Sequence, residues 1–262
     1  MLSSQREARA DAAWAAAARV NDPELDEPVT EMGFVERIEV DEDGGVALDF
    51  RLPTYWCSPN FAFLMLDGVR LALEALPWRP AVRIMLHDHL FAEEVNLGLA
   101  AGKRFEQIFS ELGAGEDLEA LREKFRMKAF ERRQEALIAH LRVAGWSAQD
   151  VVALEARGLW ADAPEFARYR EAFAARFPEA GGGAPAIVDW SGAAIGVDGF
   201  ADHLARLRAV RINMEFNGAL CRGLKQVRYR EKATGDDQLT LVDFLNVAPG
   251  DVNHSGDGSC RN

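Results

Sequence analysis

Cys57 is the first of three cysteines in 262 residues, and it stands in the stretch Leu52-Pro53-Thr54-Tyr55-Trp56-Cys57-Ser58-Pro59-Asn60-Phe61. Ser58 followed by Pro59 reads as a helix N-cap with proline in the first turn, which puts Cys57 just outside a helix start. Unpaired backbone N–H groups and the positive end of the helix dipole both favour a thiolate at that place over a thiol. A thiolate there can bind metal or attack an electrophile. The structural alternative is a small buried hydrophobe at a strand–helix junction, which is how most free cysteines behave.

A second group lies at Met85-Leu86-His87-Asp88-His89-Leu90-Phe91-Ala92-Glu93-Glu94. If a strand persists through this stretch, His87 and His89 project to the same side, about 7 Å apart. Imidazoles so placed can converge on one metal, and Asp88, Glu93 and Glu94 can orient them or complete the shell. With Cys57 they would form an open site, having fewer ligands than a closed structural zinc site needs. The structural alternative is a pair of exposed histidines with Asp88 capping the following segment.

These groups depend on the elements that carry them. Residues 5–20 are rich in strong helix formers and predict a first helix. Phe34, Ile38 and Val40 alternate with charged residues, as do Val46, Leu48, Phe50 and Leu52 after the turn at Asp41–Gly45, so a hairpin with one buried face is expected. Phe61, Leu64, Met65, Val69, Ala72, Leu73 and Leu76 recur at helical spacing until Pro77, and Val82, Ile84 and Leu86 alternate as a third strand. The order α-β-β-α-β describes a small α+β domain with a three-stranded sheet over residues 1–95. The ends of the second and third strands can lie on one edge, which would bring Cys57 near His87.

At this point the residues resemble a known family. Asp22-Pro23-Glu24, then Gly33-Phe34-Val35 at a strand start, then Thr54 in a loop leading to Cys57, are similar in order to the iron–sulfur cluster assembly domain of SufT-type and PaaD-type proteins, over residues 8–95. In that family the cysteine directly precedes proline, whereas Ser58 intervenes here, and His87-Asp88-His89 replaces the Trp-Asp-Pro-Pro of many members. The resemblance implies that Cys57 takes part in maturing or handing over an iron–sulfur cluster or related iron cofactor, with Thr54, Asp22 and Glu24 as further cofactor-binding residues. It implies a client metalloprotein, either an iron-dependent oxygenase or an iron–sulfur protein, and leaves homodimerisation open.

Past residue 95 the resemblance is silent. Leu118, Leu121, Phe125, Leu137, Ile138 and Leu141 mark long amphipathic helices, and residues 161–178 add another, giving a helical region over 96–180. Leu121–Arg133 is basic, either a solvated face or a dock for an acidic partner. Gly181–Pro185 reads as a linker to a mixed α/β region, 181–262. There a helix over 200–222 would bury Cys221, Lys225–Tyr229 and Leu239–Leu245 would pair as a hairpin, and Cys260 would lie in a Gly- and Ser-rich tail.

The net charge is −12, and residues 1–100 carry 8 Lys and Arg against 18 Asp and Glu, which argues against nucleic acid as the partner. No signal-type apolar core follows Met1 and no apolar run approaches spanning length, so a cytoplasmic protein without membrane contact is expected. No Walker-type phosphate loop is present. Three function classes stand: a maturation factor for an iron-dependent client, with no turnover chemistry; a metal-free adaptor or folding helper for an oxygenase; and, ranked last, a thiol enzyme with Cys57 as nucleophile and His87 or His89 as its base.

Overall fold

In the computed structural model, residues 3–109 and 118–230 are described. The first helix, α1 (Ser3–Ala17), buries Ala13, Ala16 and Ala17 completely, a small-residue stripe that lets it approach the sheet closely. Two short strands follow, β1 (Asn21–Asp22) and β2 (Glu27–Pro28), paired antiparallel around an acidic loop.

The main sheet has the order β3-β4-β5, with β3 spanning Val35–Val40, β4 Val46–Arg51 and β5 Val82–His87. β3 and β4 form an antiparallel hairpin whose turn is held by Asp41, whose Oδ1 accepts the amides of Asp43 and Gly45. β4 and β5 run parallel, so they need a crossover, and α2 (Pro59–Glu74) supplies it. The inward positions Val46, Leu48, Phe50, Ile84 and Leu86 meet Ala62, Phe63, Met65, Leu66, Val69 and Leu73 of α2. The expected α-β-β-α-β unit and its three-stranded sheet are present. Because β4 and β5 are parallel with Arg51 opposite His87, the chain leaves both strands at the same end of the sheet.

Packing of this first unit continues beyond residue 95. Helices α3 (Ala92–Ala100) and α4 (Phe105–Ile108) bury Val95, Leu99 and Phe105 in the same core, which also takes in Phe109, just past α4, and Leu118. A second core joins α5 (Leu118–Val143), α6 (Ala148–Val152), α7 (Pro164–Arg176) and α8 (Phe200–Arg230) through Phe130, Leu137, Ile138, Tyr169 and Leu207.

Two sequence expectations need correction here. Gly181–Pro185 is no linker: Gly182 and Ala184 carbonyls accept the amides of Arg157 and Ala156, and Ala186, Ile187 and Val188 lie inside the second core. Lys225–Tyr229 is not a strand but the last turns of α8. The alternation of Val227 and Tyr229 imitates a strand, yet with no proline or glycine between Gly223 and Arg230 the helix continues to Arg230, and its packing against the first unit decides the matter. Leu239–Leu245 and Cys260 lie outside the described residues. No helix among the described residues is long and apolar enough to cross a membrane.

Candidate functional site

Cys57 sits one residue before the N-cap of α2, Ser58, with Pro59 in the first turn, as the local residue types require. Thr54, itself buried, places its Oγ1 3.1 Å from the Cys57 sulfur. When the sulfur is ionised this hydroxyl is the donor. Cys57 packs at the edge of the first core and is half-buried. Its two preceding neighbours face outward: Tyr55 is 51% and Trp56 61% exposed, their rings edge to face at 4.6 Å.

The histidines separate. β5 ends at His87, and Asp88 takes a left-handed backbone, φ 50°, so the strand does not persist to His89 and the two rings do not lie side by side on it. His87 remains on the outer face of the sheet, its Nε2 2.8 Å from Asp49 Oδ1. Burial alone would raise the Asp49 carboxyl, but hydrogen bonds from His87 and Arg37 outweigh it and hold Asp49 below the usual carboxylate range.

His89 turns inward instead and is buried. Its Nδ1 accepts the Phe91 amide at 3.2 Å, which leaves the proton on Nε2, and Nε2 donates to the Cys57 carbonyl at 2.8 Å. Burial pushes its pKa down, further lowered by the nearby Arg228 guanidinium, although the bond to Cys57 opposes the shift. Leu90 adds a backbone bond to the Tyr55 carbonyl at 2.8 Å. His89 is therefore brought to Cys57, but it holds the loop through main-chain atoms. Neither imidazole is hydrogen-bonded to the sulfur, and among the described residues no three His, Cys, Asp or Glu side chains gather as a metal-holding group.

Asp22 and Glu24 occupy the loop between β1 and β2. Asp22 Oδ1 accepts the amides of Glu24 and Leu25 at 2.8 and 3.0 Å, which shapes the loop as a side-chain turn. Burial pushes the Asp22 carboxyl up to about 6 even though those two amides pull it down. Glu24 Oε1 faces Asn217 of α8, which donates across 3.4 Å.

The last two residues of the basic stretch of α5, Arg132 and Arg133, pair with this same loop within the chain. Arg133 makes a forked pair with Asp26, 2.7 and 2.8 Å, Arg168 donates to the Asp26 carbonyl, and Arg132 reaches Glu27. Asp26, 3% exposed and at φ 53°, also accepts from Asn21.

The residue that spacing did not single out for the site is Cys221. Burial pushes its thiol up to about 12, and the charges of Asp22, Cys57 and Glu24 add to the rise. It packs against the same core as Cys57. Its distance in sequence from all three left no local pattern by which to pair it with them.

Residues 10–85 match the iron–sulfur cluster assembly protein family. That span takes in Asp22, Glu24, Thr54 and Cys57, while His87, His89 and Cys221 fall beyond it. No curated protein and no solved structure matches the chain. The first unit is thus an iron–sulfur assembly domain enlarged by α3 and α4, and α5 through α8 form a helical unit clamped to its acidic loop. The match of this domain supports a role in iron–sulfur cluster assembly.

Proposed function

We propose that this protein is a cytoplasmic accessory factor that receives an iron–sulfur cluster or iron cofactor as cargo and passes it to a client enzyme, with Cys57 as the residue that touches the cargo. The observation that carries the reading is the placement of Cys57 inside the matched domain, at the start of α2, with the Thr54 hydroxyl 3.1 Å from its sulfur. A thiolate is the ligand such cargo takes. Cargo held through few protein ligands keeps positions open for a client's own ligands. The exposed Tyr55 and Trp56 flank Cys57 and offer a client an aromatic contact at the point of transfer. The resemblance to PaaD-type proteins favours a multicomponent oxygenase as client. Cys57 and Cys221 both carry free thiols, which suits a reducing compartment.

Anaerobic purification of the full chain with iron and sulfide analysis, beside a Cys57→Ser variant, tests this reading. Iron with sulfide in the wild type, lost in the variant, is the expected result. Equal content in both would remove Cys57 from the cargo site.

The same aromatic surface favours a second reading, a metal-free adaptor for an oxygenase. Client capture that survives Cys57→Ser and fails in Trp56→Ala, without iron in either, would select it. A Cys57-dependent thiol enzyme draws less support, because His87 bonds Asp49 and His89 bonds the Cys57 carbonyl and the Phe91 amide rather than the sulfur.

A further inference from the structure

The last stretch of α8, from Asn217 to Tyr229, lies along the assembly domain. Asn217 donates to Glu24, Lys225 to the Gly33 carbonyl, Arg228 to the Asp88 carbonyl at 2.8 Å, and Tyr229 to the Leu52 carbonyl at 3.1 Å. Positions 217, 221, 225 and 228/229 recur at intervals of three and four, so they occupy one face of the helix. Cys221 stands at the middle of that face, one turn after the contact with Glu24 and one turn before the contact with Gly33. Its neighbour Arg222 bonds Glu27 at 2.5 Å. The far end of the same face reaches the segment that leads to Cys57, through Leu52, and the Arg228 guanidinium lies 5.9 Å from the centre of the Tyr55 ring. Cys221 and Cys57 thus both pack against the first core, the helix face of Cys221 is anchored to the segment that leads to Cys57, and Cys57, Asp22 and Glu24 all lie within electrostatic reach of Cys221.

We propose that Cys57 of the assembly domain and Cys221 of α8 form a two-thiol site for a thiophilic metal ion. The helix, which lies outside the family match, donates the second ligand in cis. This deepens the reading of Cys57 as the cargo residue and rests on it for the identity of the metal as iron. The site binds a divalent ion by forming two metal–sulfur bonds and releasing the two thiol protons to solvent. Two thiolates fill half of a tetrahedral shell. The other half is left to sulfide or to the client.

The test uses the full chain with Cys260→Ser, so that only the two thiols remain. Phenylarsine oxide condenses with two thiols within reach of one arsenic, forming two As–S bonds and releasing one water. Under argon, with an excess of a monothiol competitor, the protein should retain one arsenical by intact mass. Cys57→Ser and Cys221→Ser should each weaken retention on the order of 100-fold, the loss expected when a bivalent grip becomes monovalent. Cd(II) titration supplies a second readout: thiolate-to-metal absorption per bound ion should fall by about half in either variant. Cys221→Ala and a melting curve guard against a folding defect. Failure of the unsubstituted pair to retain the arsenical overturns the site regardless of the variants and leaves iron binding through Cys57 alone untouched. Retention of the arsenical and of Cd(II) without any iron or sulfide supports the thiol pair and removes the iron reading instead.

Discussion

His89 Nε2 donates to the Cys57 carbonyl at 2.8 Å, while the same ring accepts the Phe91 amide at Nδ1, so a buried neutral imidazole ties the loop after β4 to the segment after β5. This bond fixes where the thiol sits. His89→Ala should cost about 1–3 kcal/mol of stability by leaving that carbonyl without its donor. It should also speed alkylation of Cys57 by loosening the loop. Urea unfolding and timed labelling read the two effects, and unchanged values in both would show the bond to be idle.

The pH dependence of that bond has a definite sign. Burial lowers the folded pKa of His89 below its ordinary 6.5, so its contribution is present above 6.5 and is lost as pH falls through the folded value. The stability gap between wild type and His89→Ala should therefore narrow between pH 7.5 and 5.5. A gap constant over that range would contradict the neutral tautomer.

Asp22 shows the opposite dependence. Its carboxyl is pushed up to about 6 from 3.8, so its contribution to stability is fully present below about pH 4 and disappears as pH rises through about 6. Asp22→Asn keeps an oxygen to accept the Glu24 and Leu25 amides but cannot ionise. Relative to wild type, the variant should gain up to about 3 kcal/mol between pH 4 and pH 7, on top of any pH-independent offset. A difference that does not change with pH would mean that the carboxyl ionises without cost.

Removing the guanidinium opposite Asp26 tests the clamp between the two units. Asp26 is almost fully buried, and Arg133→Ala withdraws its forked partner while Arg168 and Asn21 remain. Breaking a buried pair from one side costs about 3 kcal/mol. Adding Asp26→Asn to the Arg133 variant should recover part of the loss in chemical denaturation. Additive effects of the two substitutions would mean that the pair is not coupled.

The two thiols should differ in reactivity in the native protein. Burial holds Cys221 up at about 12, so at pH 8 it presents almost no thiolate, whereas Cys57 stands at the start of α2 beside the Thr54 hydroxyl. Timed alkylation with peptide mapping should label Cys57 at least about tenfold faster, and urea should abolish the difference. Equal native rates would place Cys221 in solvent.

Local pattern determined α1, α2 and the three strands of the main sheet, but not β1, β2, α3 or α4. Alternation at Val46–Leu52 and Val82–Leu86, helical spacing from Phe61 to Leu76, and the Ser58-Pro59 helix start all act over a few residues, and each appears in the structure where the pattern put it. The placing of Cys57 before α2 is equally local, because caps and first-turn proline are set by neighbours in sequence. The pairing of side chains was decided only by the tertiary structure. Whether His87 and His89 share a face depended on Asp88 adopting a left-handed backbone, which parted one ring to Asp49 and the other to the Cys57 carbonyl. Arg132 and Arg133, at the end of the basic stretch in α5, pair with Glu27 and Asp26 of the same chain, more than a hundred residues away. Cys221 reaches the site for the same reason. A helix pattern states which residues share a face, but what that face meets is settled by burial and charge pairing across the whole chain.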